Sequence, residues 1–192
     1  MIFRLNRTEL HAEGLRLRPW DPASDSDVSA YLLGVTDPEF RRFNNPLRHV
    51  DDLDAARLAL RERARQWETG AEGGLCVTGA DDGTVLGHVS LKSLYWPNRS
   101  AAVGYWVLPE ARGRGVASRA LTLVTDWAFT LGVHRIALDH AVTNTASCRV
   151  AERCGFAHEG TLRDSHRNAD GTYQDAHLHG RVRGEGAAAG QA

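Results

Sequence analysis

The feature that most constrains this chain is a basic, glycine-containing loop between an apolar segment and a helix. The loop covers residues 109–115 and contains two arginines and two glycines: Arg112, Gly113, Arg114 and Gly115. The apolar run before it ends at Pro109, and proline ends a strand because it cannot donate to a sheet ladder. After the loop, apolar residues recur at helical spacing until Gly132: Leu121, Val124, Ala128 and Leu131. The pattern predicts a strand, a loop and a helix N-terminus.

Such a loop has the properties of an anion-binding site. The first N–H groups of a helix have no partners within the helix, and the helix dipole is positive at that end. Glycines without a Cβ let the backbone approach an oxygen-rich ligand, and Arg112 and Arg114 add charged donors. An exposed loop without a ligand shows the same pattern, so the motif alone does not decide between the two.

Length and composition predict one soluble domain. The 192 residues suffice for a full core, and we expect a single domain over residues 1–183 and a disordered tail of small residues at 184–192. The net charge of −1 argues against a nucleic-acid binder, which needs a strongly basic face. No segment has the pattern of a signal peptide or of a membrane span, so we expect a cytoplasmic protein.

The cysteines and histidines form no metal motif in the sequence. Cys76, Cys148 and Cys154 lack C-x-x-C spacing, which fits thiols in a reducing cytoplasm. His177 and His179 alternate along a predicted strand and so share a face, but two ligands do not make a zinc site. No metal is therefore predicted.

The remaining periodicities predict an α+β fold, a mixed sheet with helices on both faces. Strands are expected at residues 15–20, 74–79, 84–93, 100–108, 133–141, 156–163 and 173–183. Helices are expected after residue 26, between residues 37 and 44, and at 51–69, 117–131 and 144–155. The strand–helix–strand unit around the basic loop requires one parallel pair, and the earlier strands form an antiparallel meander.

The motif can be compared with three known kinds of phosphate-binding loop. A P-loop needs a lysine, and none lies near. A dinucleotide fingerprint fits Gly113, Gly115 and Ser118, with Asp139 about 20 residues further on. However, the motif lies past the middle of the chain, behind three predicted strands, and the preceding strand ends several residues before Gly113.

The third kind of loop is found in a known family that this chain resembles. Arg112, Gly115 and Ala117 match the R/Q-x-x-G-x-G/A signature of GNAT acyltransferases, placed between the fourth strand and a long helix. Further segments are similar to the RimJ/RimL-type branch of that family: residues 15–20, 103–107, 144–147, 154–156 and 159–160, and Asp175. The resemblance implies a GNAT fold with a six- to seven-stranded sheet that splays between the fourth and fifth strands. Members of this branch bind acetyl-CoA and acetylate amines, often a protein N-terminus. Dimers are common among them, so the resemblance also implies a homodimer.

The resemblance also assigns residues to acetyl-CoA. The diphosphate would lie beside Arg112 on consecutive backbone amides: Gly113, Arg114, Gly115, Val116, Ala117 and Ser118. The pantetheine arm would pair like an added strand with Trp106, Val107 and Leu108, and an amide near Leu108 would donate to the thioester oxygen. Asn144 would bond this arm in addition to capping the next helix.

Three residues are candidates for the chemistry. By the resemblance, Ser147 would lie near the CoA sulfur and protonate the leaving thiolate. Many family members have a tyrosine acid where this sequence has Ala151, and a carboxylate base where it has Ala102. His140, at the end of the fifth strand, and His166, in the loop after the sixth, become candidate bases, because an unperturbed imidazole titrates near neutral pH.

The sequence predicts an acetyl-CoA-dependent N-acetyltransferase that acts by direct attack in a ternary complex. Both protein N-termini and small-molecule amines are open as acceptors. The missing tyrosine and carboxylate also fit a GNAT fold that binds acyl-CoA as a sensor or partner without turnover. A nicotinamide-dependent enzyme is the third hypothesis, and it predicts stabilisation by NADH and none by CoA.

Overall fold

The computed structural model describes residues 5–12, 14–44, 49–168 and 170–185. The strands are β1 (Leu10–Ala12), β2 (Leu15–Pro19), β3 (Gly73–Gly79), β4 (Val85–Tyr95), β5 (Ser100–Val107), β6 (Arg135–Ala141), β7 (Ala157–Arg167) and β8 (Tyr173–Val182). The helices are α1 (Asp25–Thr36), α2 (Pro38–Phe43), α3 (Leu53–Thr69), α4 (Val116–Thr130) and α5 (Thr145–Arg153), and a 3-10 turn at Pro109–Ala111 precedes α4. All eight strands join one sheet in the order β1-β2-β3-β4-β5-β6-β8-β7.

The sheet is antiparallel except between β5 and β6. The predicted α+β fold with a mixed sheet is therefore confirmed. The sheet has eight strands, one more than the upper count predicted, because Leu10–Ala12 pairs with β2 at the edge. Three residues are too few to show the alternation by which strands are recognised in a sequence.

Alternation along the strands divides the core between the two faces of the sheet. On β3, Leu75 and Val77 pack in the cluster that contains the apolar face of α4, whereas Cys76 packs in the cluster that contains α1 and most of α3. The predicted face of α4 is buried in the first cluster through Leu121, Val124 and Ala128. Helices thus cover both faces, as predicted.

The two central strands diverge. β5 and β6 pair only at their starts, where residues 100–102 lie opposite residues 135–137. Beyond Ala102, β5 continues to Val107 beside β4, and β6 continues beside β8. The predicted splay between these two strands is present, and one edge of β5 faces a gap in the sheet.

Part of the predicted tail, residues 186–192, lies outside the described residues. Within the described ranges, no helix combines the length and the apolar character needed to cross a membrane.

Candidate active site

The gap between β5 and β6 opens into a cavity of about 300 Å³. Its walls come from the end of β5, the loop before α4, the first turns of α4 and α5, and parts of α1 and α2. Ten of the twelve residues predicted to bind the cofactor line it: Trp106, Val107, Arg112, Gly113, Gly115, Val116, Ala117, Ser118, Asn144 and Ser147. Most residues predicted to bind the cofactor thus line one continuous cavity, and their role in binding stays a prediction.

The first turn of α4 is open toward solvent. The residue that precedes the helix is Gly115, at φ 73° and ψ 9°, and no side chain of the described residues caps the helix. Gly113 has φ 72°, and a Cβ placed on either glycine would have no atom within 4 Å. The left-handed backbone explains why both positions are glycine. Uncapped N–H groups beside open space form a site for an anion.

The cavity is lined by positive charge. Arg112, Arg149 and Arg153 line it, and Glu39 is the one carboxylate among its described lining residues. Arg149 and Arg153 were not among the predicted site residues. Their i, i+4 spacing places them on one face of α5, but the sequence did not show that this face meets the cavity.

Arg112 is held by carboxylates of the neighbouring helices. Its Nη1 lies 2.8 Å from Oε2 of Glu39, its Nη2 donates to Asp37, and its Nε donates to the carbonyl of Val107 at 3.2 Å. Arg112 therefore ties the loop before α4 to the start of α2. Its predicted role as a charged donor to the diphosphate stays a prediction, since its guanidinium already bonds these carboxylates.

Leu108 and Arg114 are the two predicted cofactor residues outside the described cavity lining. The N–H of Leu108 donates to the carbonyl of Leu86 at 2.9 Å. Hydrogen bonds of an antiparallel pair alternate, so the N–H of Val107 points away from β4, toward the gap. A backbone N–H that points toward the gap thus lies one residue before Leu108, and its role toward the thioester oxygen stays a prediction. Arg114 is exposed.

Ser147 lies in the first turn of α5. Asn144 caps this helix, with its Oδ1 accepting from the N–H of Ser147 at 3.0 Å, which confirms the predicted cap. The Oγ of Ser147 lies 2.8 Å from the Oη of Tyr105 on β5. Burial raises the pKa of Tyr105, so its phenol is protonated at neutral pH. Tyr105 was not among the predicted site residues.

Trp106, the next residue on β5, faces the opposite side of the sheet. Its indole packs against Trp20, Tyr31, Phe40 and His88. Gly34 of α1 lies against the same ring, and a Cβ at Gly34 would come within 2.2 Å of it. Phe40 and Trp106 of this aromatic cluster, together with Gly34, line the cavity on the side of α1 and α2.

We expect His88 to make the protein sensitive to acid. Its Nδ1 accepts a hydrogen bond from Nε1 of Trp20 at 3.0 Å, and burial, with the nearby charge of Arg63, lowers its pKa well below the usual value. As the pH falls below about 6.5, the unfolded state binds the proton first, so the free energy of unfolding decreases. His88→Asn keeps an acceptor for Trp20. Its unfolding midpoint should fall less between about pH 7 and pH 5 than that of the wild type; an equal fall would show that His88 does not contribute.

The two histidines predicted as bases lie outside the described cavity lining. His140 is buried at the end of β6, with Nδ1 2.9 Å from the carbonyl of Ala141 and Nε2 3.2 Å from Nε2 of His179. Both ring nitrogens thus have neighbours in the interior. The assignment of His140 as a base stays a prediction that this geometry does not favour.

His166 lies in β7 and not in a loop after it. The strand continues past the predicted end at residue 163, through an irregularity at Asp164 with φ 49°. His166 pairs with Gln174, whose Oε1 accepts from Thr143, next to Asn144. The β7–β8 hairpin therefore meets the loop before α5. The Nε2 of His166 is buried without a hydrogen-bond partner among the described residues, and its role as a base stays a prediction.

Comparison with known proteins identifies the family. The family model described as an acetyltransferase (GNAT) domain matches residues 14–157. The chain belongs to the GNAT acetyltransferase family. The GNAT chain is 35% identical over 92 residues to the spermidine N(1)-acetyltransferase of Vibrio cholerae serotype O1, a match that covers 47% of this chain and 53% of the relative. It is 31% identical over 99 residues to the ribosomal-protein-serine acetyltransferase of Escherichia coli, covering 51% and 55%. It spans about half the length of each.

Solved structures show the same GNAT fold. RimJ of Mycobacterium smegmatis in complex with CoA-disulfide superposes with a TM-score of 0.80 at 22% identity, over 92% of this chain and 87% of RimJ. The predicted GNAT fold and the resemblance to the GNAT family are thereby confirmed, and the similarity extends to proteins of the RimJ/RimL type.

Proposed function

We propose that this acetyltransferase transfers the acetyl group of acetyl-CoA to a primary amine by direct attack in a ternary complex, and that the acceptor is a protein N-terminus. The observation that carries the proposal is the gap between β5 and β6, which opens onto the uncapped start of α4. The names of the relatives support an amine acceptor, and the CoA-bound RimJ supports the cofactor.

The diphosphate of CoA lies on the amides from Gly113 to Ser118 in this proposal. Its negative charge is stabilised by the helix dipole and by the arginines of α5, Arg149 and Arg153. The pantetheine arm contains two amides and enters the gap, where it pairs with the free edge of β5 as an added strand. This placement brings the thioester to the end of β5.

The residues around the thioester divide the chemistry between them. The N–H of Val107 donates to the thioester oxygen, on which negative charge develops as the amine attacks. The new C–N bond forms, the C–S bond breaks and the thiolate leaves. The attacking nitrogen loses its surplus proton to solvent, and solvent restores the hydroxyl of Ser147 after that group has protonated the sulfur. Ser147 donates its hydroxyl proton toward the leaving sulfur, and the protonated Tyr105 donates to the Oγ of Ser147.

The acceptor is inferred from the lack of an evident base among the described residues that line the cavity. Glu39, the carboxylate of the described lining, pairs with Arg112, and Ala102 stands where relatives carry a carboxylate. An amine that is partly neutral near pH 7 needs little help from a base. A protein α-amine, with a pKa of about 7.7–8.0, meets this condition, whereas an alkylamine of pKa about 10.4 does not.

The proposal is tested by thiol release from acetyl-CoA. The acceptors are short peptides with a free N-terminus, the same peptides already N-acetylated, and spermidine. We expect thiol release with the free peptides and none with the blocked ones. Faster turnover with spermidine than with every peptide near pH 7 would overturn the protein acceptor.

Calorimetric titration with CoA separates catalysis from binding. Tight binding of CoA without thiol release from any acceptor would indicate the acyl-CoA sensor instead. Stabilisation by NADH and not by CoA would indicate a nicotinamide-dependent protein. The homodimer stays a prediction, and analytical ultracentrifugation tests it. The cytoplasmic location also stays a prediction.

A further inference from the structure

Three histidines and a cysteine meet between the sheet and α5. His140 comes from β6, His177 and His179 from β8, and Cys148 from α5. The register places His140 opposite His177, and alternation places His179 on the same face. One donor atom of each residue lies within 4.8 Å of the others. The two histidines that share a face in the sequence thus gain two further donors from the topology.

The three close polar contacts of His140 and His179 need one more proton than two neutral imidazole rings carry. The Nδ1 of His140 lies 2.9 Å from the carbonyl of Ala141, the Nδ1 of His179 lies 3.3 Å from the carbonyl of Phe156, and the two Nε2 atoms are 3.2 Å apart. Each of these three contacts needs a proton, but two neutral imidazoles carry only two.

A cation satisfies all three contacts. When each Nδ1–H donates to its carbonyl, both Nε2 atoms direct lone pairs toward the space between them. This is the usual arrangement of metal-binding histidines, whose second nitrogen donates to a carbonyl or a carboxylate. The Nδ1 of His177 is buried without a hydrogen-bond partner in the described part of the chain, and it offers another lone pair. The thiol of Cys148, now 3.6 Å from Glu152, completes four donors.

We propose that His140, His177, His179 and Cys148 bind one zinc ion with tetrahedral geometry. Imidazoles and a thiolate are typical donors for Zn²⁺, and bonds of about 2.0–2.3 Å place the donor atoms roughly 3.3–3.7 Å apart. The two Nε2 atoms are already near this separation, and the wider pairs close by about an ångström. On binding, the thiol of Cys148 releases its proton to solvent.

Four protein donors leave no open position, so the ion has a structural role. It fixes α5 to β6 and β8. Because Cys148 directly follows Ser147, the ion also holds the turn that positions Ser147. His140 then acts as a ligand and not as a base. The proposal does not depend on the identity of the acceptor amine or on acetyl transfer.

The test uses the chelator-treated full chain, titrated with Zn²⁺ and, as a spectroscopic probe, with Co²⁺. We expect one zinc ion per chain, a higher unfolding midpoint with Zn²⁺, and a Co²⁺ complex with strong visible bands and a near-ultraviolet charge-transfer band from the thiolate. Cys148→Ser removes the charge-transfer band. Cys148→Ser and His177→Gln each weaken Zn²⁺ binding by at least about 10- to 100-fold. This is the loss seen when a residue that only hydrogen-bonds to a metal ligand is replaced.

His158→Gln is the matched control. The ring of His158 lies 4.9 Å from that of His177, but His158 is exposed and is not one of the four donors. Its zinc affinity and cobalt spectrum should equal those of the wild type. A wild-type chain that binds no stoichiometric zinc overturns the proposal, as does binding that is unchanged in both Cys148→Ser and His177→Gln.

Discussion

Replacing Gly115 by glutamate should weaken the binding of coenzyme A by at least about 100-fold, or roughly 2.7 kcal/mol. Gly115 precedes α4 in a left-handed conformation, and a Cβ there would project into open space beside the exposed amides. The variant places a carboxylate where the diphosphate would lie, so the two negative charges repel each other. Isothermal titration calorimetry with CoA measures the effect.

Gly132→Glu is the matched control for this variant. Gly132 follows the other end of α4, has φ 93°, and likewise has no atom within 4 Å of a Cβ. Both variants carry a left-handed backbone penalty of about 1–2 kcal/mol, but only one changes the proposed anion site. CoA affinity should be unchanged in Gly132→Glu. Wild-type affinity in Gly115→Glu would rule out the site, and an equal loss in both variants would point to strain in α4.

Replacing Ser147 by alanine should lower kcat by about 100-fold or more, the usual contribution of a group that transfers a proton. The KM for acetyl-CoA should change little, because the hydroxyl acts on the departing sulfur. Tyr105→Phe should also lower kcat, since its Oη lies 2.8 Å from the Oγ of Ser147. The double variant should be no slower than Ser147→Ala, because the phenol acts only through the serine. Steady-state thiol release gives all three values.

Tyr95→Phe controls for the loss of a tyrosine hydroxyl. Tyr95 is 55% exposed and pairs with Ser100, the first residue of β5, whereas the cavity lies at the other end of that strand. Its kcat should match that of the wild type. Losses that add up in the double variant would mean that Ser147 and Tyr105 act separately, and an unchanged kcat in Ser147→Ala would assign the proton to another group.

The loop before α4 was predictable because its determinants are local. Pro109 ends the strand, and the glycines at 113 and 115 allow left-handed backbone that other residues rarely adopt. The order strand, helix, strand then required a parallel pair. Most residues predicted to bind the cofactor line the cavity because they lie on this one continuous segment.

The parts that sequence reasoning missed depend on contacts between distant segments. Whether Leu108 or Val107 offers its N–H to the gap follows from the register with β4, and a shift of one residue would exchange them. Alternation separates Tyr105 from Trp106, but only the packing of α5 shows which of them meets Ser147. Arg112 bonds Glu39 and Asp37 at the start of α2, 73 and 75 residues earlier in the chain.

The histidine and cysteine cluster depends on the order of the strands. β8 inserts between β6 and β7, so its two histidines lie beside His140 and beneath Cys148. A simple meander would place β7 beside β6 and separate these donors. The sequence shows that His177 and His179 share a face, but it does not show which strand lies next to them.

The most direct test of the proposed CoA site is a crystal structure of the chain with coenzyme A. We predict diphosphate oxygens within hydrogen-bond distance of the amides from Gly113 to Ser118, and a pantetheine arm paired with Val107 between β5 and β6. Coenzyme A bound elsewhere, or β5 and β6 paired along their whole length with the gap closed, would contradict it.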